Sequence, residues 1–212
     1  MNQEERSERS RAQIMEAALK LFSSVGYHGT SMRDIADAAG VSTGNVYHQF
    51  SDKESLFRAL LDQYWAALSS PEFPFNQALA AGAFPNDLEA LARAARASVA
   101  QYRRYVSLIY VDVVEFDGNH IRRFYTEMAS RFEAFLGQHS DRVDLGALRE
   151  GVPPLTAIMV ASRFFLQYFA VEILFGVSNH FGRDTDAALK DIVEILKHGM
   201  LKRDDPGGVT TP

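Results

Sequence analysis

The chain has 212 residues, 47% of them hydrophobic, enough apolar material to build one or two domains with a substantial core. It contains no cysteine, which excludes disulfides and thiol-based redox sensing. The formal net charge of −5, with 7 Lys or Arg against 9 Asp or Glu in residues 1–63, excludes a uniformly basic nucleic-acid binder; any such contact has to come from local placement of a few cations.

The amino-terminal MNQEERSERS is charged and lacks the apolar stretch of a secretory signal, so a soluble, cytoplasmic protein is expected, with residues 1–7 disordered. Ser10 and Gln13 make a capping box, followed at helical spacing by Ile14, Ala18, Leu21, Phe22 and Val25, with Gly26 as the stop. Ser31 with Asp34 starts a second helix whose apolar face is Met32, Ile35, Ala36 and Ala39. Gly40 suits the left-handed residue that ends it, and Val41 tucks under the turn. Ser42 caps a third helix in which Val46 and Phe50 point inward. That leaves Thr43, Asn45, Tyr47 and His48 displayed outward, with Gly44 offering bare backbone. Ser51 and Glu54 form another capping box, opening a fourth helix with Leu56, Phe57, Leu60, Leu61, Tyr64, Trp65 and Leu68 inward.

Residues 31–50 thus read as a helix-turn-helix, the arrangement that lays a short helix in a DNA major groove. Asn45 is the residue expected to read a base edge, since an amide pairs well with adenine. The plainer readings are a surface Tyr47 packed on Phe50 and a merely solvated His48. Arg6, Arg9 and Arg11 before or in the first helix, with Arg33 and Lys53 beside the third, supply the local positive charge.

Beyond the fourth helix, Pro71 and Pro74 predict a turn over residues 70–75, and a short helix is expected over 76–81. Residues 87–102 read as a helix with Leu88, Leu91, Ala95, Val99 and Tyr102 along one side, and 105–116 as a second after a bend. Ile121 to Leu136 follows, with Phe124, Met128, Phe132 and Phe135 inward. A long apolar helix runs from Leu155 to about Phe175, and a last one from Thr185 to Leu201, with Asp184 and Asp186 first and Lys202 and Arg203 last, as the helix dipole favours. Arg163, Gln167 and Glu172 interrupt the apolar run and argue against a membrane span. Residues 204–212 are expected to be a disordered tail. No strand pattern occurs, so the fold is expected to be all-α: a three-helix DNA-binding head over 8–68, joined to a larger helical domain over 69–203.

The order and spacing of Ile14, Ala17, Ala18, Leu21, Phe22, Gly26, Tyr27, Thr30, Ser31, Ile35, Ala36, Ala39, Gly40, Val41, Ser42, Gly44, Tyr47, Phe50, Lys53, Glu54 and Leu56 resemble the TetR family of bacterial transcriptional regulators. The resemblance covers roughly residues 8–68. It implies a recognition helix carrying Ser42, Thr43, Gly44, Asn45, Tyr47 and His48, with Lys53 at the start of the fourth helix contacting a phosphate and Thr30 and Arg33 as further phosphate candidates. Position 43 is often lysine in that family and is threonine here, which implies one fewer charged contact and a shallower salt dependence.

The same resemblance implies that residues 69–203 form an effector-binding and dimerisation domain and that the chain binds an inverted-repeat operator as a homodimer, paired through the last two long helices. Phe165, Phe169, Leu189, Ile192, Val193, Leu196 and Met200 are the candidate interface, the alternative being that these stripes are simply core of the single chain. It also implies a cavity for a small apolar or aromatic effector, for which Trp65, Tyr105, Tyr110, Phe124, Tyr125, Met128, Arg163 and Gln167 are candidates. Arg163 fits either the cavity or the interface. A ligand-responsive repressor is the expected function, with an activator of the same fold as the alternative. A metal-responsive variant would draw on Asp112, Glu115, Asp117 and His120, residues that a helix end gathers for solvation alone. No cofactor motif is present, and no nucleophile elbow, phosphate loop or Glu-x-x-His pair suggests an enzyme.

Overall fold

The computed structural model describes residues 2–140 and 143–201. Its helices are α1 (Gln3–Val25), α2 (Met32–Ala39), α3 (Thr43–Gln49), α4 (Lys53–Ser69), α5 (Pro74–Ala80), α6 (Leu88–Gln101), α7 (Arg103–Phe116), α8 (Ile121–Gln138), α9 (Pro154–Leu174) and α10 (Thr185–Met200), with a 3-10 turn at Leu145–Ala147. Among the described residues the only extended pairing is an isolated bridge between Leu148 and Leu201. The all-α expectation holds.

The described residues form two compact units, one made of the chain through Ser70 with Tyr102–Thr126, the other of Pro71–Gln101 and the chain from Glu127 on. The sequence placed the boundary near Leu68 and everything after it in one domain. The structure instead gives α7 and the start of α8, through Thr126, to the first unit. Leu108 is fully buried in the core built by Ile14, Phe22, Ile35, Val46, Leu56 and Phe57, and Tyr105, Val111 and Phe116 pack against that core. An apolar stripe on a helix does not say which neighbour will cover it, so this pairing was not visible from spacing alone.

Most expected ends fall within a residue or two, and the differences have local causes. The first helix starts at Gln3, not Ser10, because Asn2 and Glu5 make a reciprocal capping box of their own; residues 2–7 are therefore ordered helix or cap, contrary to the expected disorder. Val25, expected inward, is 58% exposed at the last position of α1. Asp52 rather than Ser51 caps α4, accepting from the Ser55 amide at 2.6 Å. Pro74, read as a helix breaker, stands at the first position of α5, where its missing N–H costs nothing. Residues 204–212, expected to be a disordered tail, lie outside the described residues, as do Lys202 and Arg203.

In the second unit, α6 and α9 are the most extensively packed pair. Ala92 and Ala95 on α6 and Ala157 and Ala161 on α9 are all buried, and small side chains let the two helices approach closely. Arg96 and Thr185 both reach the Glu172 carboxylate, at 3.5 and 3.0 Å, and tie α6, α9 and the start of α10 together.

Candidate nucleic-acid interface

The turn between α2 and α3 is set by three local devices. Ser31 and Asp34 cap the start of α2 reciprocally. Gly40 then takes the left-handed conformation (φ 68°), and the Val41 amide reaches back to the Ala36 carbonyl at 3.1 Å. Ser42 caps α3 through the Asn45 amide at 3.2 Å. Val46 is completely buried in the first unit's core, which fixes the roll of α3 and turns Tyr47 (54% exposed) and His48 outward. Around Gly44 a Cβ would meet only Ser42 Oγ, at 3.9 Å, so the outer surface of α3 is open backbone there.

The back of α3 is tied to α1. Asn45 Nδ2 donates to Ser10 Oγ at 2.9 Å, and Gln49 Nε2 donates to Ser7 Oγ at 2.9 Å. Arg11 donates through Nη1 to the Gln49 carbonyl at 3.1 Å while its guanidinium sits 4.1 Å from the centroid of the Phe50 ring. Asn45, expected to present its amide to a base, instead spends one of its N–H groups on α1. Sequence reasoning missed this tie because it began α1 at Ser10, which left Ser7 and Ser10 outside the helix that faces α3.

Two of the proposed phosphate contacts are also drawn inward. Thr30 is 2% exposed and its hydroxyl donates to the Gly26 carbonyl at 2.8 Å, so it shapes the α1–α2 loop and is not displayed. Lys53 Nζ donates to the carbonyls of Tyr27 and Thr30, each at 2.7 Å. Burial pushes its ammonium below the ordinary lysine pKa, an effect the Glu115 carboxylate opposes. Lys53 nonetheless lines an open groove of about 390 Å³ together with His28, Ser31, Tyr47 and Asp52, so its charge and third N–H stay within reach of an anion there. Arg33 and Ser42 are exposed, and Thr43 is half-buried at the start of α3.

Behind the α1–α2 loop stands α7. Glu115 accepts from the backbone amides of Tyr27 at 2.9 Å and His28 at 2.6 Å, and pairs with the His28 ring. Burial pushes its carboxyl pKa up, but the His28 and Tyr27 amides and the His28 ring outweigh this and hold it below the ordinary value. Asp112, fully buried, accepts from the Ile121 amide at 2.9 Å and lies 2.6 Å from His120 Nδ1, which stitches α7 to α8. Asp117 closes α7 at positive φ (53°) and is exposed. These four residues were the metal candidates. The Asp112 and Glu115 carboxylates serve separate hydrogen-bond sets, and no cluster of three or more such ligands occurs among the described residues.

The effector candidates are divided between the two units. In the first, Trp65 stacks on Phe124 with ring centroids 4.4 Å apart, Phe124 meets Tyr125 edge-on, Tyr105 stacks on Tyr64, and Tyr110 is half-buried. In the second, Met128 is half-buried, while Arg163 and Gln167 are exposed on one face of α9 with Thr156 and Val160. Arg163 and Gln167 therefore do not line an internal cavity of their unit. The dimer candidates need a similar correction. Phe165 and Phe169 are fully buried, and Ile192, Val193 and Met200 nearly so, with Leu189 and Leu196 half-buried. The outward apolar side chains are instead Val160 on α9 and Ile195, 71% exposed, on α10. Pro154–Leu174 is long and apolar enough to cross a membrane, yet Ile158, Ala161, Phe165, Tyr168 and Phe169 are buried within the unit, as in the core helix of a soluble protein.

Residues 14–60 match a family described as bacterial regulatory proteins, tetR family. Among curated proteins, the transcriptional repressor ComR of Escherichia coli is 44% identical over 50 residues, 24% of each chain. The transcriptional repressor AcnR of Corynebacterium glutamicum is 45% identical over 51 residues, 24% of this chain and 27% of its own. The matched stretch thus spans only about a quarter of these relatives' length. A crystal structure from Mesorhizobium loti, described as a TetR-family transcriptional regulator, superposes with a TM-score of 0.62 at 26% identity, covering 93% of this chain and 99% of that one.

Proposed function

Because the chain belongs to the TetR family of bacterial regulatory proteins, we propose that it is a cytoplasmic, ligand-responsive transcriptional repressor that binds an inverted-repeat operator as a homodimer. The observation that carries the reading is α3. Val46 anchors its inner side in the core while Tyr47, His48, Ser42 and the bare backbone at Gly44 are displayed outward, the disposition of a helix that enters a major groove. Arg33 and the Lys53 groove flank α3 and supply phosphate contacts. With so few cations, affinity for arbitrary DNA is modest and discrimination rests on the α3 surface.

The open face of α9 with Val160, Arg163 and Gln167, and Ile195 of α10, are the surfaces we assign to the partner copy. A two-fold dimer places its recognition helices roughly 34–36 Å apart, one turn of DNA, or somewhat more. ComR and AcnR are named repressors, which supports repression as the outcome of binding. The effector is a small apolar or aromatic molecule that favours a conformation of the dimer with the heads wrongly spaced.

The test is selection of random-sequence duplexes on the purified full chain at about 100 mM salt, where non-specific affinity is already suppressed. Enrichment of an inverted repeat is the expected result. A folded dimer that enriches no sequence, alone or with candidate effectors, would sink the reading.

A further inference from the structure

The α1–α2 loop touches both the DNA-facing groove and α7. Its outer side, at His28, Gly29, Thr30 and Ser31, lines the groove beside Tyr47 and Lys53. Its inner side is held at two points. Lys53 takes the carbonyls of Tyr27 and Thr30, and Glu115 takes the amides of Tyr27 and His28. The loop leads directly into Ser31, the cap of α2, and α2 packs on α3. Displacing the loop therefore moves the start of α2 and the groove with it.

Lys53 belongs to α4, which is joined to the second unit at one end only, after Ser70, whereas Glu115 sits on α7. That helix is joined covalently at both ends to the second unit, through α6 ending at Gln101 and through α8 leaving the first unit after Thr126. The seat for the carboxylate is shaped for it. Gly26 has φ 87°, and a Cβ there would lie 2.8 Å from Glu115 Oε1. Two amides converging on the two oxygens of one carboxylate make a directional contact, since a neutral amide side chain could accept only one of them.

We infer that Glu115 is a positioning residue for DNA binding: its carboxylate sets the α1–α2 loop, so that a shift of α7 is transmitted to the groove and to α2 and α3. This rests on the DNA-binding reading above and identifies the point at which that binding is regulated. The two discrete arrangements are Glu115 seated on the Tyr27 and His28 amides, with the loop in its operator-binding position, and Glu115 withdrawn, with the loop released. The His28 ring adds to the seated state, but it is mostly exposed and the backbone amides carry the contact.

The experiment uses the full chain, the duplex recovered by selection and an unrelated duplex of equal length. Glu115→Ala and Glu115→Gln are compared with wild type and with His28→Ala in operator affinity, melting temperature and hydrogen exchange at the amides of residues 27 and 28. Both Glu115 variants are expected to lose operator affinity by about 5–150-fold, the usual range of coupling between sites. Their amides at 27 and 28 exchange faster, their melting temperature shifts by a few degrees at most, and weak binding to the unrelated duplex falls by much less than operator affinity. His28→Ala, which keeps both amide contacts to Glu115, loses less operator affinity than either Glu115 variant. If Glu115→Ala fails to fold, the isosteric Glu115→Gln carries the same comparison. Wild-type operator affinity in a folded Glu115 variant overturns the inference, whether or not the amides lose protection, and leaves the DNA-binding reading standing. A wild type that selects no duplex overturns both.

Discussion

Lys53 and Tyr27 meet twice: the ammonium donates to the Tyr27 carbonyl at 2.7 Å and lies 4.2 Å from the centroid of the same residue's ring. The ring is itself wedged against Phe116 of α7, 4.6 Å away between centroids, and against Phe57 of α4 at 5.6 Å. One lysine thus serves the loop, the aromatic cluster and the groove together. Removing its head group should show in stability as well as in binding.

Lys53→Met keeps the apolar stem and removes the donor. It leaves the Tyr27 and Thr30 carbonyls without that partner, which should cost about 1–3 kcal/mol of stability in urea unfolding. Operator affinity should fall too, and the slope of log affinity against log salt should become shallower by about one phosphate contact. A salt slope identical to wild type would mean that the groove holds no phosphate at Lys53.

Tyr47→Ala tests the outward face directly. Its side chain is exposed, so the melting temperature should stay close to wild type while specific affinity drops and affinity for unrelated DNA does not. Undiminished operator binding would place the reading surface somewhere other than α3.

The tie between α1 and α3 can be measured without DNA. Asn45→Ala and Ser10→Ala each break the 2.9 Å hydrogen bond between them, so the double variant should be no worse than the more damaging single one. A coupling of about 0.5–1.5 kcal/mol is expected from the unfolding cycle. Strict additivity would show that the two side chains do not meet in solution, and Asn45 would return as a candidate for reading bases.

How much of this was legible beforehand depends on the range of the interaction. Ser31 with Asp34, Gly40, Ser42 and Val46 were readable because caps and helix spacing act over a few residues, and the structure places each as its chemistry requires. Asn45 was assigned to DNA because it lies on the third helix, and Thr30 and Lys53 because the family resemblance places phosphate contacts beside it. Their partners, Gly26, Ser10, Tyr27 and Thr30, lie 4 to 35 residues away in the chain, and nothing in local spacing announces them. Phe165 and Phe169 were given to the interface, with core as the alternative, for a related reason. A helix apolar on several faces shows that it needs cover, but not which face its own chain will take. Only the polar break at Arg163 and Gln167 marked the open side; Gln167 was read as a pocket residue, and Arg163 as either pocket or interface.

Glu115 makes stability depend on pH in a defined direction. Its carboxyl pKa is depressed in the folded protein, so as pH falls the unfolded chain takes up that proton first. The stabilisation is complete above the ordinary value of 4.5 and is lost as pH drops through the folded value. Glu115→Gln cannot titrate there. The stability gap between wild type and Glu115→Gln should therefore be widest near neutrality and narrow on acidification below about 4.5, in urea unfolding at matched ionic strength. A gap that stays constant over that range would show that the carboxylate charge contributes nothing to holding the loop.

The partner surface is testable through one exposed side chain. Val160 lies on the α9 face that also carries Arg163 and Gln167, and it is 47% exposed in the single chain. If that face meets its own copy across a two-fold axis, Val160→Asp brings the two substituted carboxylates towards each other in a desolvated interface, because an isologous contact repeats every change. Sedimentation at micromolar concentration should then find monomer where wild type is dimer, with helical content retained because Val160 is not part of the unit's own core. Phe165→Ala provides the contrast. It empties a fully buried site and should lower stability by about 3–5 kcal/mol. The two variants thus separate interface from core on neighbouring turns of the same helix, and a Val160→Asp protein that remains a dimer would move the interface off this face of α9.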